Sequence, residues 1–129
     1  MSKNPPVRPG LIIKEALGRR PMGISEIHRV YKEKVNEINS LRSKADRIHP
    51  ATYWSFARQC QFARALGLIE KDHEAPLEFP PDGEVLLSIR DNQVVPATRV
   101  IYRLTAAGES EDGAWLNLSG AVKEQLGWG

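Results

Sequence analysis

The sequence predicts an α+β fold, mainly helical, built as one domain. Three observations carry this expectation. Between residues 11 and 67 apolar residues recur at steps of three and four in three successive stretches, the spacing of helix faces. From Leu68 onward the pattern changes to short alternating or β-branched runs, separated by proline, glycine and acidic residues. A chain of 129 residues, 41% hydrophobic and 26% charged, has the size and composition of a single globular domain.

Residues 1–9 hold Pro5, Pro6 and Pro9 with Lys3 and Arg8 and have little to bury, so they read as a flexible N-terminal arm before a domain spanning 10–129. Leu11, Ile12, Ala16 and Leu17 predict a short first helix, stopped by Gly18-Arg19-Arg20-Pro21. Ser25 is the candidate cap of a second helix whose face is Ile27, Val30/Tyr31, Val35, Ile38, Leu41, Ala45 and Ile48. Unbroken to Arg47 it would run roughly 35 Å; a break near Asn39-Ser40 is the alternative, because Asn and Ser compete for backbone hydrogen bonds. His49-Pro50-Ala51-Thr52 marks a turn, with proline at a first helical position or Thr52 as cap. The third helix ends at Gly67. Tyr53, Phe56, Cys60, Ala63 and Leu66 form its core side, while Trp54, Arg58, Gln61 and, near the edge, Arg64 fall on the other.

Leu68 to Lys71 reads as a short strand, followed by a polar stretch containing Pro76 and the turn Pro80-Pro81-Asp82-Gly83. Val85 to Ile89 and Arg99 to Leu104 are the remaining strand candidates, with Asp91-Asn92-Gln93 as a loop and Pro96 as an edge or break. Alternation places Val100, Tyr102 and Leu104 toward the core and Arg99, Ile101 and Arg103 on the opposite face. Glu109 to Gly113 reads as an acidic loop. A short helix over 118–126 follows, with Ser119 as cap and Gly127 after its end.

Charge placement is more informative than the net +2. Residues 1–72 hold 14 Lys/Arg against 7 Asp/Glu, net +7, and residues 73–129 hold 4 against 9, net −5. Such asymmetry is a hint of a nucleic-acid-binding face. No apolar run reaches the length of a membrane span, and Met-Ser-Lys-Asn-Pro-Pro lacks the apolar stretch of a signal peptide, so a cytoplasmic protein with no membrane partner is expected. A single cysteine excludes an intrachain disulfide and a thiolate zinc cluster. His28, His49 and His73 have no ligand-spaced partner, and no glycine-rich phosphate loop follows a strand. The expectation is a protein without metal, cofactor or catalytic activity.

Two stretches carry a resemblance. Ser55-Phe56-Ala57-Arg58-Gln59-Cys60-Gln61-Phe62-Ala63-Arg64-Ala65-Leu66-Gly67-Leu68-Ile69-Glu70 resembles a recognition helix running into a Gly-Leu-Ile strand, and Tyr102-Arg103-Leu104-Thr105-Ala106-Ala107-Gly108 is similar to the Tyr-x-Leu-Thr-x-x-Gly stretch that closes the wing of PadR-like and MarR-like regulators. The resemblance, to the winged helix-turn-helix superfamily, implies that fold with a long wing insertion at about 72–98 and a short C-terminal helix. It departs from the family in that insertion and in a long link before helix 3. The implied function is sequence-specific binding of double-stranded DNA by a transcriptional regulator, with helix 3 in the major groove and a basic wing.

On that reading Arg58 pairs with guanine and Gln61 with adenine, beside Trp54 and Arg64, while Thr52 and Ser55 suit phosphate. Lys44 and Arg47 supply further phosphate contacts, and Arg90, Arg99 and Arg103 are the wing candidates. Cross-strand pairing to Glu84 or Glu70 is the alternative for the wing arginines. The alternative function is a winged-helix protein–protein interaction module within a larger assembly, anchored by Trp54, Phe62, Trp115 and Trp128. A homodimer through the C-terminal helix is also expected, because Trp115, Leu116, Leu118, Val122, Leu126 and Trp128 exceed what one short helix needs to cover a small domain.

Overall fold

A computed structural model describes residues 7–76, 87–90, 92–96 and 98–127, with 87–90 and 94–96 described by backbone alone. Helix α1 spans Pro9–Arg19, with proline in its first turn where the missing N–H costs nothing. It therefore starts two residues before Leu11, and Gly18 lies within it. The described end of the expected arm is seated: Val7 packs against the core, and Arg8 Nη1 donates to the Leu116 carbonyl at 3.0 Å. Strand β1 (Met22–Gly23) is too short to announce itself in the sequence. Helix α2 (Ile24–Ser40) has Gly23 rather than Ser25 at its N-cap, and Glu26 Oε1 accepts from the Gly23 N–H at 3.4 Å. It breaks at Ser40, one of the two alternatives. Leu41 and Ala45, expected on its apolar face, are exposed beyond its end.

After a short 3₁₀ turn (Lys44–Asp46), α3 spans Tyr53–Ala65. Thr52 is its cap, with Oγ1 accepting from Ser55 N at 3.2 Å, while Pro50 stays outside the helix. Phe56, Cys60 and Ala63 are buried; Tyr53 sits at the rim and Leu66 is half-buried. Gly67, at φ 75°, closes α3: its N–H bonds the Arg64 carbonyl and Leu68 N–H the Ala63 carbonyl. This left-handed closure turns the chain back into the next strand.

Strand β2 (Ile69–Pro76) is twice as long as expected, and β5 (Thr98–Leu104) pairs with it from Ile69↔Leu104 to Pro76↔Thr98, with an irregularity between Lys71 and His73. Between them β3 (Leu87–Arg90) and β4 (Gln93–Pro96) form a separate hairpin turning at Asn92, whose φ is 63°. Of the expected loop, Asn92 is at the turn while Gln93 lies in β4, Pro96 lies on an edge strand, and residues 72–76 and 98 of the expected insertion belong to β2 and β5; Asp91 lies outside the described residues. Val85 and Leu86 lie outside the described residues.

The larger sheet is antiparallel, in the order β1-β5-β2. Its central strand corrects one expectation: Ile101 is as buried as Tyr102, at 4% against 5% exposure. Ile101 pairs with Gly23 of β1, and its Cδ1 would lie in ordinary contact, 3.5 Å, with a Cβ placed there. Val100 and Leu104 are half-buried against the core.

The expected acidic loop is largely helical. Helix α4 (Ala106–Ser110) is capped by Thr105, α5 spans Gly113–Leu116, and α6 spans Leu118–Leu126 as expected. Asn117, not Ser119, caps α6, its Oδ1 accepting from Gly120 N at 3.0 Å, and Gly127 ends it at φ 69°. The architecture is α+β, mainly helical, around one core formed by Ile13 and Leu17 of α1, Ile27 and Val35 of α2, Phe56 and Ala63 of α3, and Trp115 and Leu118 from the C-terminal helices. Trp115 Nε1 donates to the Gly108 carbonyl at 3.0 Å, which leaves no orphan donor under this cover.

Candidate nucleic-acid interface

The placement of α3 begins on α2. The Tyr31 hydroxyl accepts from Ala51 N at 3.0 Å, and His28 Nε2 lies 3.1 Å from the Ala51 carbonyl, which can only accept; Nε2 therefore carries a proton. Both rings are buried and packed against Phe56, with centroids 4.9 and 5.3 Å away. Three residues before Ala51 in the link, Ile48 is held from the end of α2: Asn39 Nδ2 donates to its carbonyl at 2.9 Å and Asn39 Oδ1 accepts from its N–H at 2.7 Å. Residues 48 and 51 are thus held by their backbone groups, and the tip from Leu41 to Arg47 lies between the end of α2 and residue 48.

On α3, Trp54, Ser55, Arg58, Gln61 and Arg64 are all exposed, and Trp54 is 81% exposed. At 100° per residue, Trp54, Arg58 and Gln61 share one stripe and Arg64 lies toward its edge. The Arg58 guanidinium sits 5.6 Å from the Phe62 ring centroid, a cation–π contact that orients it without neutralising it. Thr52 is exposed at the helix start, and its hydroxyl, already an acceptor for the cap, can still donate. Lys44 and Arg47 are exposed in the tip of the link, where Leu41 is 86% exposed.

The strand arginines stand differently. Arg103 Nη2 lies 2.8 Å from Glu70 Oε1 and Nη1 3.5 Å from Asp72 Oδ1, in the cross-strand position set by the Glu70↔Arg103 register. Arg99 ion-pairs with Glu26, and its Nε is buried with no hydrogen-bond partner among the described residues. Burial pushes the Glu26 carboxyl up, but hydrogen bonds from Arg20 and the Gly23 N–H, with the charge and hydrogen bond of Arg99, outweigh it and hold the group below the usual range. Glu70 was legible as a partner from alternation, whereas Glu26 lies on another element. The side chain of Arg90 and all of Glu84 lie outside the described residues.

Sequence reasoning missed His28, Tyr31 and Asn39 as the residues that seat α3. A histidine on the apolar face of α2 was the available signal, since a buried polar ring requires a partner. The surplus of apolar residues near the C-terminus is mostly consumed within the chain: Trp115, Leu118 and Val122 are buried, leaving Leu116 and Leu126 exposed, with Trp128 outside the described residues. Cys60 is buried, and burial pushes its thiol up to about 12.

Among the described residues no group of three or more His, Cys, Asp or Glu side chains could hold a metal ion, and no helix is long and apolar enough to cross a membrane. Comparison with protein families, curated proteins and solved structures gave no match.

Proposed function

We propose that this chain is a winged helix-turn-helix protein that binds double-stranded DNA sequence-specifically through α3 and acts as a cytoplasmic transcriptional regulator. The observation that carries the reading is the exposed stripe Trp54–Arg58–Gln61 on a helix seated from behind by α2. A helix enters the major groove only with long polar side chains on its outer face, and Arg and Gln have the donor geometry that reads guanine and adenine. The order α1-β1-α2-α3-β2, then β5 inserted between β1 and β2, also agrees with that fold. The wing contributes less charge than the sequence suggested, because Arg99 and Arg103 each face carboxylates. Selection of bound sequences from random duplex DNA tests the proposal, and failure to enrich any sequence overturns it.

A protein–protein interaction module is the second reading, favoured by the exposure of Trp54 and Leu41. Trp115, buried, is unavailable as an anchor. If Arg58→Ala leaves binding to every duplex unchanged while Trp54→Ala abolishes binding of a protein partner, the second reading replaces the first.

A further inference from the structure

Beside the exposed stripe, α3 and α6 enclose a groove of about 500 Å³ lined by Ser55, Arg58, Gln59, Phe62, Ser119, Val122 and Lys123. Its volume falls within the range of small-molecule sites, roughly 300–1,000 Å³. Its charge is distinctive. Two cations, Arg58 and Lys123, line it, no carboxylate does, and neither cation has an ion-pair partner among the described residues.

In two other grooves the lining cations are already paired. The one between α1 and α2 holds Arg19 and Lys34, both paired with Glu15. In the groove beside β1 the cation is Arg99, paired with Glu26. The α3–α6 groove thus combines uncompensated positive charge, hydroxyl and amide groups from Ser55, Ser119 and Gln59, and an apolar wall from Phe62 and Val122.

We propose that the α3–α6 groove binds a small organic anion, with Arg58 and Lys123 meeting its acidic group and the partly exposed Phe62 ring its apolar body. A DNA phosphate would use the two cations but gain nothing from a concave apolar wall, which is why a compact amphipathic ligand fits better. Charge-assisted hydrogen bonds are the stronger class, so both cations contribute measurably to affinity. If α3 reads DNA through Arg58, the ligand and the duplex compete for that side chain; this consequence rests on the DNA reading, whereas the site itself does not.

The test uses the full chain without DNA and 2-naphthoate as the probe, followed by calorimetric titration, with uncharged 2-naphthylmethanol and inorganic phosphate for comparison. The expected result is saturable one-to-one binding of 2-naphthoate, at least about tenfold weaker in Lys123→Met and in Arg58→Met, as loss of a charge-assisted bond implies. Both comparison compounds should bind more weakly than the probe. Lys123 is exposed, and unchanged thermal melting of its variant would exclude misfolding as the cause of the loss. No binding, equal binding by Lys123→Met, or equal binding of the alcohol overturns the proposal. So does a Lys123→Met variant with unchanged naphthoate binding but weaker affinity for every duplex, which would make the groove a seat for DNA phosphate.

Discussion

Glu70 and Arg103 sit directly across from one another on β2 and β5, with their side chains joined at 2.8 Å. The pair is half exposed, so its contribution to stability is small, about 0–1 kcal/mol. Its effect on the field around the sheet is larger, since a cation offered to a phosphate is already answered by a carboxylate. Glu70→Gln should therefore leave stability within about 1 kcal/mol of the parent and raise duplex affinity at low salt. Fluorescence anisotropy against a labelled duplex reads this directly, and unchanged affinity would remove Arg103 from the DNA-contacting surface.

Arg58→Ala should cost about 1–3 kcal/mol on the preferred sequence and relax the preference at one base position. Lys44→Ala, on the exposed tip of the link, should weaken all sequences alike. Competition titrations with preferred and scrambled duplexes separate a base-reading contact from a phosphate contact.

Duplex binding should depend steeply on salt. About five phosphate contacts give a slope of log affinity against log salt of about −4 to −5. Affinity that is flat across a salt titration would count against the positive half of the chain facing DNA.

Tyr31→Phe removes the acceptor for the Ala51 N–H while preserving the ring. The part-buried amide then loses its partner, at a cost of about 1–3 kcal/mol measured by urea unfolding. Duplex affinity of the folded variant should fall too, because α3 is released at the end nearest Thr52.

The helices were legible because their periodicity and ends are local properties. α6 ends where Gly127 says it should, and its cap differs from expectation by two residues because both Asn117 and Ser119 suit the role. Features that depend on a distant partner were not legible. Gly108, the last residue of the stretch that resembles a wing closure, lies inside α4, where a Cβ would come 2.0 Å from the Leu68 carbonyl oxygen; only the folded chain reveals that approach. Ile101 was assigned to the open face because alternation assumes one covered side, whereas in the folded chain both Ile101 and Tyr102 are buried. Within the candidate site, exposure of Arg58 and Gln61 followed from the wheel. The grip of α2 on Ala51 did not, as its partners are 20 and 23 residues away.

Cys60 sets an alkaline limit. Its thiol is pushed from 9.0 to about 12 in the folded chain, so the unfolded chain releases its proton first as pH rises. The group's contribution is full below 9.0 and is lost toward about 12, with a slope of up to about 1.4 kcal/mol per pH unit. Urea unfolding of the parent from about pH 8 to pH 11 should fall more steeply than that of Cys60→Ala. Parallel profiles would show that the thiol is not shielded.

The polar hold on residues 48 and 51 is made through peptide groups, and a peptide group is common to every residue except proline, which lacks the N–H. The side chains at these two positions add apolar packing against the core, while the hydrogen bonds read only the backbone. Over evolutionary time the link from Leu41 to Thr52 can change in composition, trading its basic residues for others, while α3 keeps its angle to α2. If α3 reads DNA as proposed, binding strength and reading geometry are separable traits, the first adjustable in the link and the second set by His28, Tyr31 and Asn39.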